Sequence, residues 1–221
     1  MATGPEYFER EYFELHEGKR RYLEYLIGQL RRSGVESGAV LDVGSGFGFF
    51  LRALQRAGFR VVGLELSAYA AARSGRDVRQ VLGSAEDDLP FRDRSFDAAT
   101  LLDVIEHVED FRGALAECAR VLRPGGRILV ITLNRFSAAR PLMGRRWSWY
   151  RDPTHVHMFS IGVLRSGLEE AGFDCVRTTT LWNFCSVGET SRVLRPLRAI
   201  GRVVHAPAFG DAILLEGARR G

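Results

Sequence analysis

Two histidines stand two residues apart in the stretch DPTHVHMFS, at His155 and His157. A second chemically able set, Asp103, Glu106 and His107, lies in DVIEHVED. Histidine titrates near neutrality, so either member of the first pair could take a proton from a reacting hydroxyl. Pinning their own loop through hydrogen bonds is the structural alternative. Asp103, Glu106 and His107 at i, i+3 and i+4 share one face of a helical turn, a spacing that could hold a hard divalent ion. Capping and packing of that turn is the simpler reading, and no metal is assigned to it.

A third set is made of glycine. VLDVGSGFG places Gly44, Gly46 and Gly48 at alternate positions after an apolar run. Glycine just past a strand lets the main chain approach a ligand, because no Cβ intervenes. In an open α/β sheet, ligands sit beyond the carboxyl ends of the strands. The dinucleotide fingerprint GxGxxG is not met, since Phe49 stands where its third glycine belongs. Glu65 closes the next apolar run, RVVGLE, where a carboxylate can accept two hydrogen bonds from a ribose diol; a solvated surface charge is the plainer alternative.

These residues need elements to hold them. Residues 6–32 read as a helix, with Tyr7, Phe8, Tyr12, Leu15, Tyr22, Tyr25, Leu26 and Leu30 as its apolar positions. Strands are expected at AVLDVG, RVVGLE, VRQVLG, SFDAATLLD, RILVITLN, FDCVRTTTLWNF and DAILLEGAR. Helices are expected at FFLRALQRAG, SAYAAARSG, FRGALAECARVL and SIGVLRSGLEEAG, the third closed by RPGG as a stop and turn. Strands alternating with helices imply a parallel sheet covered on both faces. The connection from Arg135 to about Ser160 is long and carries Phe136, Trp147, Trp149, Tyr150 and Phe159. That is too aromatic for disorder, and a long ordered connection is expected to wall a binding site. Further on, Arg192, Arg195, Arg198 and Arg202 recur at helical spacing among apolar residues. Such a helix either keeps a solvated basic face, lies on an anionic membrane, or grips a phosphate-bearing ligand.

Composition limits the classes. The chain has 221 residues, 46% hydrophobic and 26% charged, ordinary for a globular protein that buries a core without staples. A net charge of +4 permits an anionic partner without demanding nucleic acid. Cys118, Cys175 and Cys185 show no metal-type pairing or disulfide framework, which suits a reduced, cytoplasmic compartment. The stretch MATGPEYFEREYFELHEGKR lacks the apolar core of a signal peptide, and no run approaches the roughly 18 apolar residues of a membrane span.

Taken together, VLDVGSGFG, VVGLELS, GSAEDDLPFRDRSFD, LLDVIEHVED and ARVLRPGGRILVITLN resemble the class I S-adenosylmethionine-dependent methyltransferases, in order and spacing, from about residue 37 to 134. DPTHVHMFS looks like the same region in small-molecule O-methyltransferases related to the ubiquinone pathway. The resemblance implies an α/β fold: a Rossmann-like, doubly wound, seven-stranded sheet, mostly parallel, with an antiparallel C-terminal edge hairpin strand. It implies a single domain, with a helical cap over 1–36, a cofactor-binding core over 37–134, an acceptor-side loop over 135–160, and a C-terminal helix and strands over 161–221. It implies S-adenosylmethionine as cofactor and S-adenosylhomocysteine as product. Asp42, Gly44, Gly46 and Gly48 would lie under the methionine part and Glu65 at the ribose hydroxyls. Leu66 would flank the adenine, and Gly83, Ser84, Ala85 and Glu86 would edge it. Leu101, Leu102 and Asp103 would line the methionine end, and the helix carrying Tyr7, Phe8 and Tyr12 would close over the cofactor. Ser84 stands where many relatives carry Asp, and a hydroxyl is the weaker acceptor.

The expected reaction is methyl transfer to a hydroxyl of a small molecule, a glycan or a lipid-linked intermediate, with His155 or His157 as base. N- or C-methylation without a base, a nicotinamide oxidoreductase, and a catalytically silent cofactor- or partner-binding module are the alternatives. No nucleic-acid partner is expected, peripheral contact with an anionic membrane is possible through the arginine-bearing segment, and the oligomeric state is left open.

Overall fold

The computed structural model describes residues 17–147, 150, 152–183, 203–206 and 208–221. Short apolar runs build its centre. In β1 (Ala39–Val43), Val40 and Leu41 are neighbours in sequence, yet both are fully buried. Successive side chains leave a strand on opposite faces, so both faces of this sheet are covered. Val40 packs with Leu26 and Leu30 of α1 (Glu17–Arg32) and with Phe50, Leu51 and Leu54 of α2 (Phe49–Arg56). Leu41 packs on the other side, with Leu115 and Cys118 of α4 (Phe111–Val121) and Leu164 and Leu168 of α6 (Ile161–Glu170).

Around β1, the strands β2 (Arg60–Glu65), β3 (Gln80–Leu82), β4 (Phe96–Leu102) and β5 (Leu122–Leu133) run parallel. β6 (Phe173–Asn183), β7 (Val203–Ala206) and β8 (Ala212–Arg219) extend the sheet, whose order is β3-β2-β1-β4-β5-β8-β6-β7. The last three are added antiparallel, each to its neighbour. The doubly wound, mostly parallel sheet matches the expectation, but it has eight strands rather than seven. β8, the final strand, lies between β5 and β6 rather than at the edge. β7 takes the edge, directly after the segment whose arginine spacing reads as a helix. Val203 and Val204 are β-branched and pair with Asn183 and Trp182, so strand pairing prevails over local helical periodicity there. Arg192, Arg195, Arg198 and Arg202 fall outside the described residues, as do Tyr7, Phe8 and Tyr12.

RPGG also differs from its reading. The helix stops at Val121 as expected, but β5 begins at once at Leu122. The register with β4 then shifts between Phe96↔Leu122 and Ala98↔Arg127. Pro124, Gly125 and Gly126 are thus taken up as a bulge within one strand, because residues on either side of them pair with β4. α3 (Ala68–Arg73) follows β2, and the connection beyond β5 contains α5 (Ala139–Met143) and a 3-10 turn over Gly144–Arg146.

Candidate active site

The carboxyl ends of β1 and β2 meet at the glycine loop. Gly44, Gly46 and Gly48 all have positive φ, at 72°, 52° and 70°. The N–H groups of Gly44 and Ser45 both donate to the Leu64 carbonyl, at 2.8 and 3.0 Å. A Cβ on Gly44 would lie 2.3 Å from Val104 Cγ2, so packing excludes one, whereas a Cβ on Gly46 would meet nothing within 4 Å. The loop therefore has an open face at Gly46. Glu65, 5% exposed, accepts the Gly46 N–H at 2.6 Å and the Ser67 N–H at 2.7 Å, one on each carboxylate oxygen. Burial raises its pKa, and those backbone donors oppose the rise. Gln80 Nε2 donates to Ser45 Oγ at 2.7 Å and to the Gly46 carbonyl at 2.8 Å, holding the loop from the third strand. Asp42 is buried and accepts from Thr100 Oγ1 at 2.6 Å. Its carboxyl is pushed up to about 7 by burial, with Thr100 opposing and nearby Glu65 adding.

The flanking residues form the rim. Leu66 is exposed. Ser84 Oγ accepts the Glu86 N–H at 3.0 Å, and Glu86 Oε1 accepts the Glu109 N–H at 2.9 Å, tying the segment after β3 to the start of α4. Ala85 packs on the core and the Leu101 side chain is fully buried, so Leu102 and Asp103 are the more accessible groups at the end of β4. Asp103 has a φ of 54°, rare for a residue with a Cβ, and its N–H donates to the Ile131 carbonyl at 2.9 Å. This turns the chain sharply and leaves the carboxylate open to solvent. The surrounding protein, then Asp211, raise its pKa.

Beyond Asp103 lies an acid–imidazole cluster. Glu106 is 1% exposed and accepts from Thr132 Oγ1 at 2.9 Å. Its backbone carbonyl accepts the N–H groups of Val156 and His157, at 2.8 and 3.1 Å, which draws DPTHVH against this turn. Burial, then Asp103, push its carboxyl up to about 8. His107 Nδ1 lies 2.8 Å from Thr154 Oγ1, which lies 2.6 Å from Asp152 Oδ1. A carboxylate only accepts and the hydroxyl has one proton, so Thr154 donates to Asp152 and His107 donates through Nδ1–H. The lone pair of the neutral ring is then on Nε2. Burial, then His155, lower the His107 pKa, which favours that neutral form. The His155 ring centre is 4.6 Å from that of His107. Donor atoms of Glu106, His107 and His155 lie within 4.8 Å of one another, so His155 takes the place that the sequence spacing gave to Asp103 in a possible cation-holding set.

His157 is placed differently. Its Nε2 donates to the Glu109 carbonyl at 2.8 Å, and its ring packs against Phe111 and Phe159, with centres 5.3 and 5.6 Å away. The aromatic wall is likewise divided. Trp147 and Phe159 are buried, and Trp147 Nε1 donates to Asp211 Oδ1 at 2.7 Å. Phe136 and Tyr150 are 60% and 48% exposed and border an open cleft of about 350 Å³ with Arg135, Ser137 and Arg140. Trp149 falls outside the described residues, and among those described no helix is long and apolar enough to cross a membrane. Sequence reading missed Gln80, Thr100, Thr132, Asp152, Thr154 and Asp211. Only Asp152 and Thr154 carried a signal: the Thr154 N–H bonds back to Asp152 Oδ1 at 2.9 Å, the turn that Asp-Pro-Thr favours.

A family model described as a methyltransferase domain matches residues 15–178. A ubiquinone biosynthesis O-methyltransferase of Aromatoleum aromaticum is 34% identical over 132 residues, covering 57% of this chain and 55% of that protein. The protein of that name from Thiobacillus denitrificans is 41% identical over 103 residues, covering 43% and 44%. The chain thus spans about half the length of the curated relatives it matches. Among solved structures, an S-adenosylmethionine-dependent methyltransferase of Thermotoga maritima, described as a possible histamine N-methyltransferase, superposes with a TM-score of 0.66 at 23% identity over 91% of each chain. At that identity the likeness is one of fold.

Proposed function

The chain belongs to the S-adenosylmethionine-dependent methyltransferase family, and from that premise we propose that it transfers a methyl group from S-adenosylmethionine to a hydroxyl of a small-molecule acceptor. The observation that carries the choice of a hydroxyl is His155, set beside His107 and Glu106 just past the end of β4. A hydroxyl must lose its proton as the methyl arrives, and an imidazole there can accept it.

The cofactor site fits on its own geometry. Gly46 offers bare backbone to open space. The Glu65 carboxylate has about four lone-pair sites and spends two on Gly46 and Ser67, which leaves one on each oxygen for a vicinal diol. Asp42 and the loop would hold the methionine part, Leu66 and Ser84 to Glu86 the adenine side, and Leu101, Leu102 and Asp103 the sulfonium end. The bound cofactor supplies an electrophilic methyl on a positively charged sulfur. The protein's task is to align the acceptor oxygen with that methyl and keep water away. His155 takes the acceptor's proton on a ring nitrogen. Glu106, held protonated at neutral pH, adds no charge to the cluster, and His157 positions the segment from its anchor on Glu109.

Two measurements test this: calorimetry with S-adenosylhomocysteine, and turnover on a pool of hydroxylated acceptors by wild type and His155→Ala. The variant is expected to lose about 10²–10⁴ in turnover with cofactor affinity intact. Wild-type turnover in His155→Ala would move the reading to N- or C-methylation. Tight product binding with no turnover on any acceptor would make the chain a silent cofactor-binding module.

A further inference from the structure

The cleft beside α5 is built from unlike parts. Arg135 and Arg140 line it together with Phe136, Tyr150 and Ser137. Neither arginine makes an ion pair among the described residues. Arg140 Nη1 donates to the Arg135 carbonyl at 3.2 Å, which leaves most of its guanidinium donors open among the described residues, and the Arg135 guanidinium stands 5.5 Å from the centre of the Phe136 ring. Asp211, the acid bonded to Ser137, is already engaged: its Oδ1 accepts both Ser137 Oγ at 2.9 Å and Trp147 Nε1 at 2.7 Å. Cationic forks without a carboxylate, beside exposed aromatic faces, suit an oxyanion on a flat apolar body.

The cleft is also tied to the candidate chemistry on two sides. The Arg135 N–H donates to the Phe159 carbonyl at 2.8 Å, and Phe159 ends the segment that carries His155. Through Ser137 it reaches Asp211, whose charge acts on Asp103. We propose that this cleft is the anchoring subsite for the methyl acceptor, and that the acceptor carries a carboxylate or phosphate on an aromatic or similarly flat body. Arg135 and Arg140 hold the oxyanion, Phe136 and Tyr150 hold the body, and the reacting hydroxyl points toward Asp103 and His155. This rests on the methyltransferase reading and names the acceptor class that reading leaves open.

The test uses the full chain loaded with S-adenosylhomocysteine and follows its backbone amides by NMR. The probes are benzoate, phenyl phosphate, benzyl alcohol and inorganic phosphate. Benzoate or phenyl phosphate should shift the amides of 135–144 and 150 and bind at least about tenfold more tightly than benzyl alcohol, the least expected of a hydrogen bond to a charged group. Arg135→Gln with Arg140→Gln should erase that preference and leave affinity for S-adenosylhomocysteine unchanged. Whichever anion binds better identifies a carboxylate- or a phosphate-bearing acceptor. Equal binding of benzyl alcohol, or a preference that survives the double substitution, overturns the proposal. So does inorganic phosphate binding as tightly as phenyl phosphate, which removes the aromatic body, or a response only to phosphatidylglycerol vesicles, which makes the patch a lipid-facing surface. If S-adenosylhomocysteine fails to bind, the methyltransferase reading is what falls; the probes are then read on the unloaded chain, where their preference still decides the anion site.

Discussion

Removing the Glu65 carboxylate should act twice, once on the loop and once on the cofactor. In the unliganded protein Glu65 accepts the Gly46 and Ser67 N–H groups at 2.6 and 2.7 Å while only 5% exposed. Glu65→Ala leaves both donors without their acceptor. Gly46 borders open space and can turn to water, so the larger cost falls on Ser67, which is 1% exposed. One stranded donor costs about 1–3 kcal/mol of folding stability. The ribose contacts are lost as well, and hydrogen bonds to a charged group contribute about 1.5–3 kcal/mol. Affinity for S-adenosylhomocysteine should therefore fall by a factor of about 10 to 150. Glu65→Gln refines the result. The amide keeps one acceptor but turns its NH₂ toward a backbone N–H, so it should lose nearly as much affinity as the alanine. Calorimetry with S-adenosylhomocysteine, alongside thermal melts to confirm folding, separates the two effects. An unchanged dissociation constant in a folded Glu65→Ala protein would refute the ribose assignment. A melting temperature equal to wild type would refute the loop role.

Three further outcomes follow from the cluster beyond β4. His157→Ala should lower thermal stability by about 1–3 kcal/mol, from the lost bond to the Glu109 carbonyl and the lost contacts with Phe111 and Phe159, without the large turnover defect of His155→Ala; chemical denaturation and initial rates distinguish the two. Burial and Asp103 raise Glu106 from 4.5 to about 8, so the folded state keeps a proton that the unfolded chain gives up. The stability this contributes is complete below about 4.5 and is lost as pH rises toward 8, at up to about 1.4 kcal/mol per pH unit, and Glu106→Gln should flatten that slope in urea melts taken across the range. Zinc should inhibit turnover by capturing the imidazole lone pairs, while a chelator should leave turnover unchanged; turnover abolished by chelation and restored by a divalent ion would make the cluster a metal centre instead.

The parallel half of the sheet was legible because most of its strands are short apolar runs ended by glycine or a charge, and each helix has its own stop. Gly58 after α2 and Ser160 before α6 are local signals, and local signals are what a sequence displays. The C-terminal half was less legible. Nothing local says that β8 slides between β5 and β6, since that placement is decided by burial of Ile213, Leu214 and Leu215 in the sheet. Val203 and Val204 look helical only beside the arginines that precede them. In the site, residues followed by a glycine turn or closing a strand could be found, as Gly46 and Glu65 were. Residues that act as partners could not. Thr100, Thr132 and Asp211 are ordinary in type and distant in sequence from Asp42, Glu106 and Trp147, which they hold. The spacing in DVIEHVED did put Glu106 and His107 together, but His155, 48 residues beyond His107, displaces Asp103 from their company only through the hydrogen bonds that draw Val156 and His157 onto the Glu106 carbonyl.

What the cluster can do at neutral pH turns on where its protons are. Asp152 and Thr154 fix His107 with its proton on Nδ1, which leaves Nε2 as an acceptor. That tautomer serves a proton relay, and it equally serves a metal ligand, which also gives its second nitrogen to an outer partner. Glu106 separates the two uses. Burial and Asp103 push its carboxyl up to about 8, so the protonated form is favoured at pH 7 and must be given up before the carboxylate can serve as a ligand. An incoming cation must displace the proton; an acceptor hydroxyl need only find a neutral imidazole. His107 is held neutral by burial and by His155, so its ring can accept a proton without first giving one up. On the proposed reading, proton transfer is what this arrangement would perform without an ion, and cation binding would gain on it as the pH climbs past the point where Glu106 ionises.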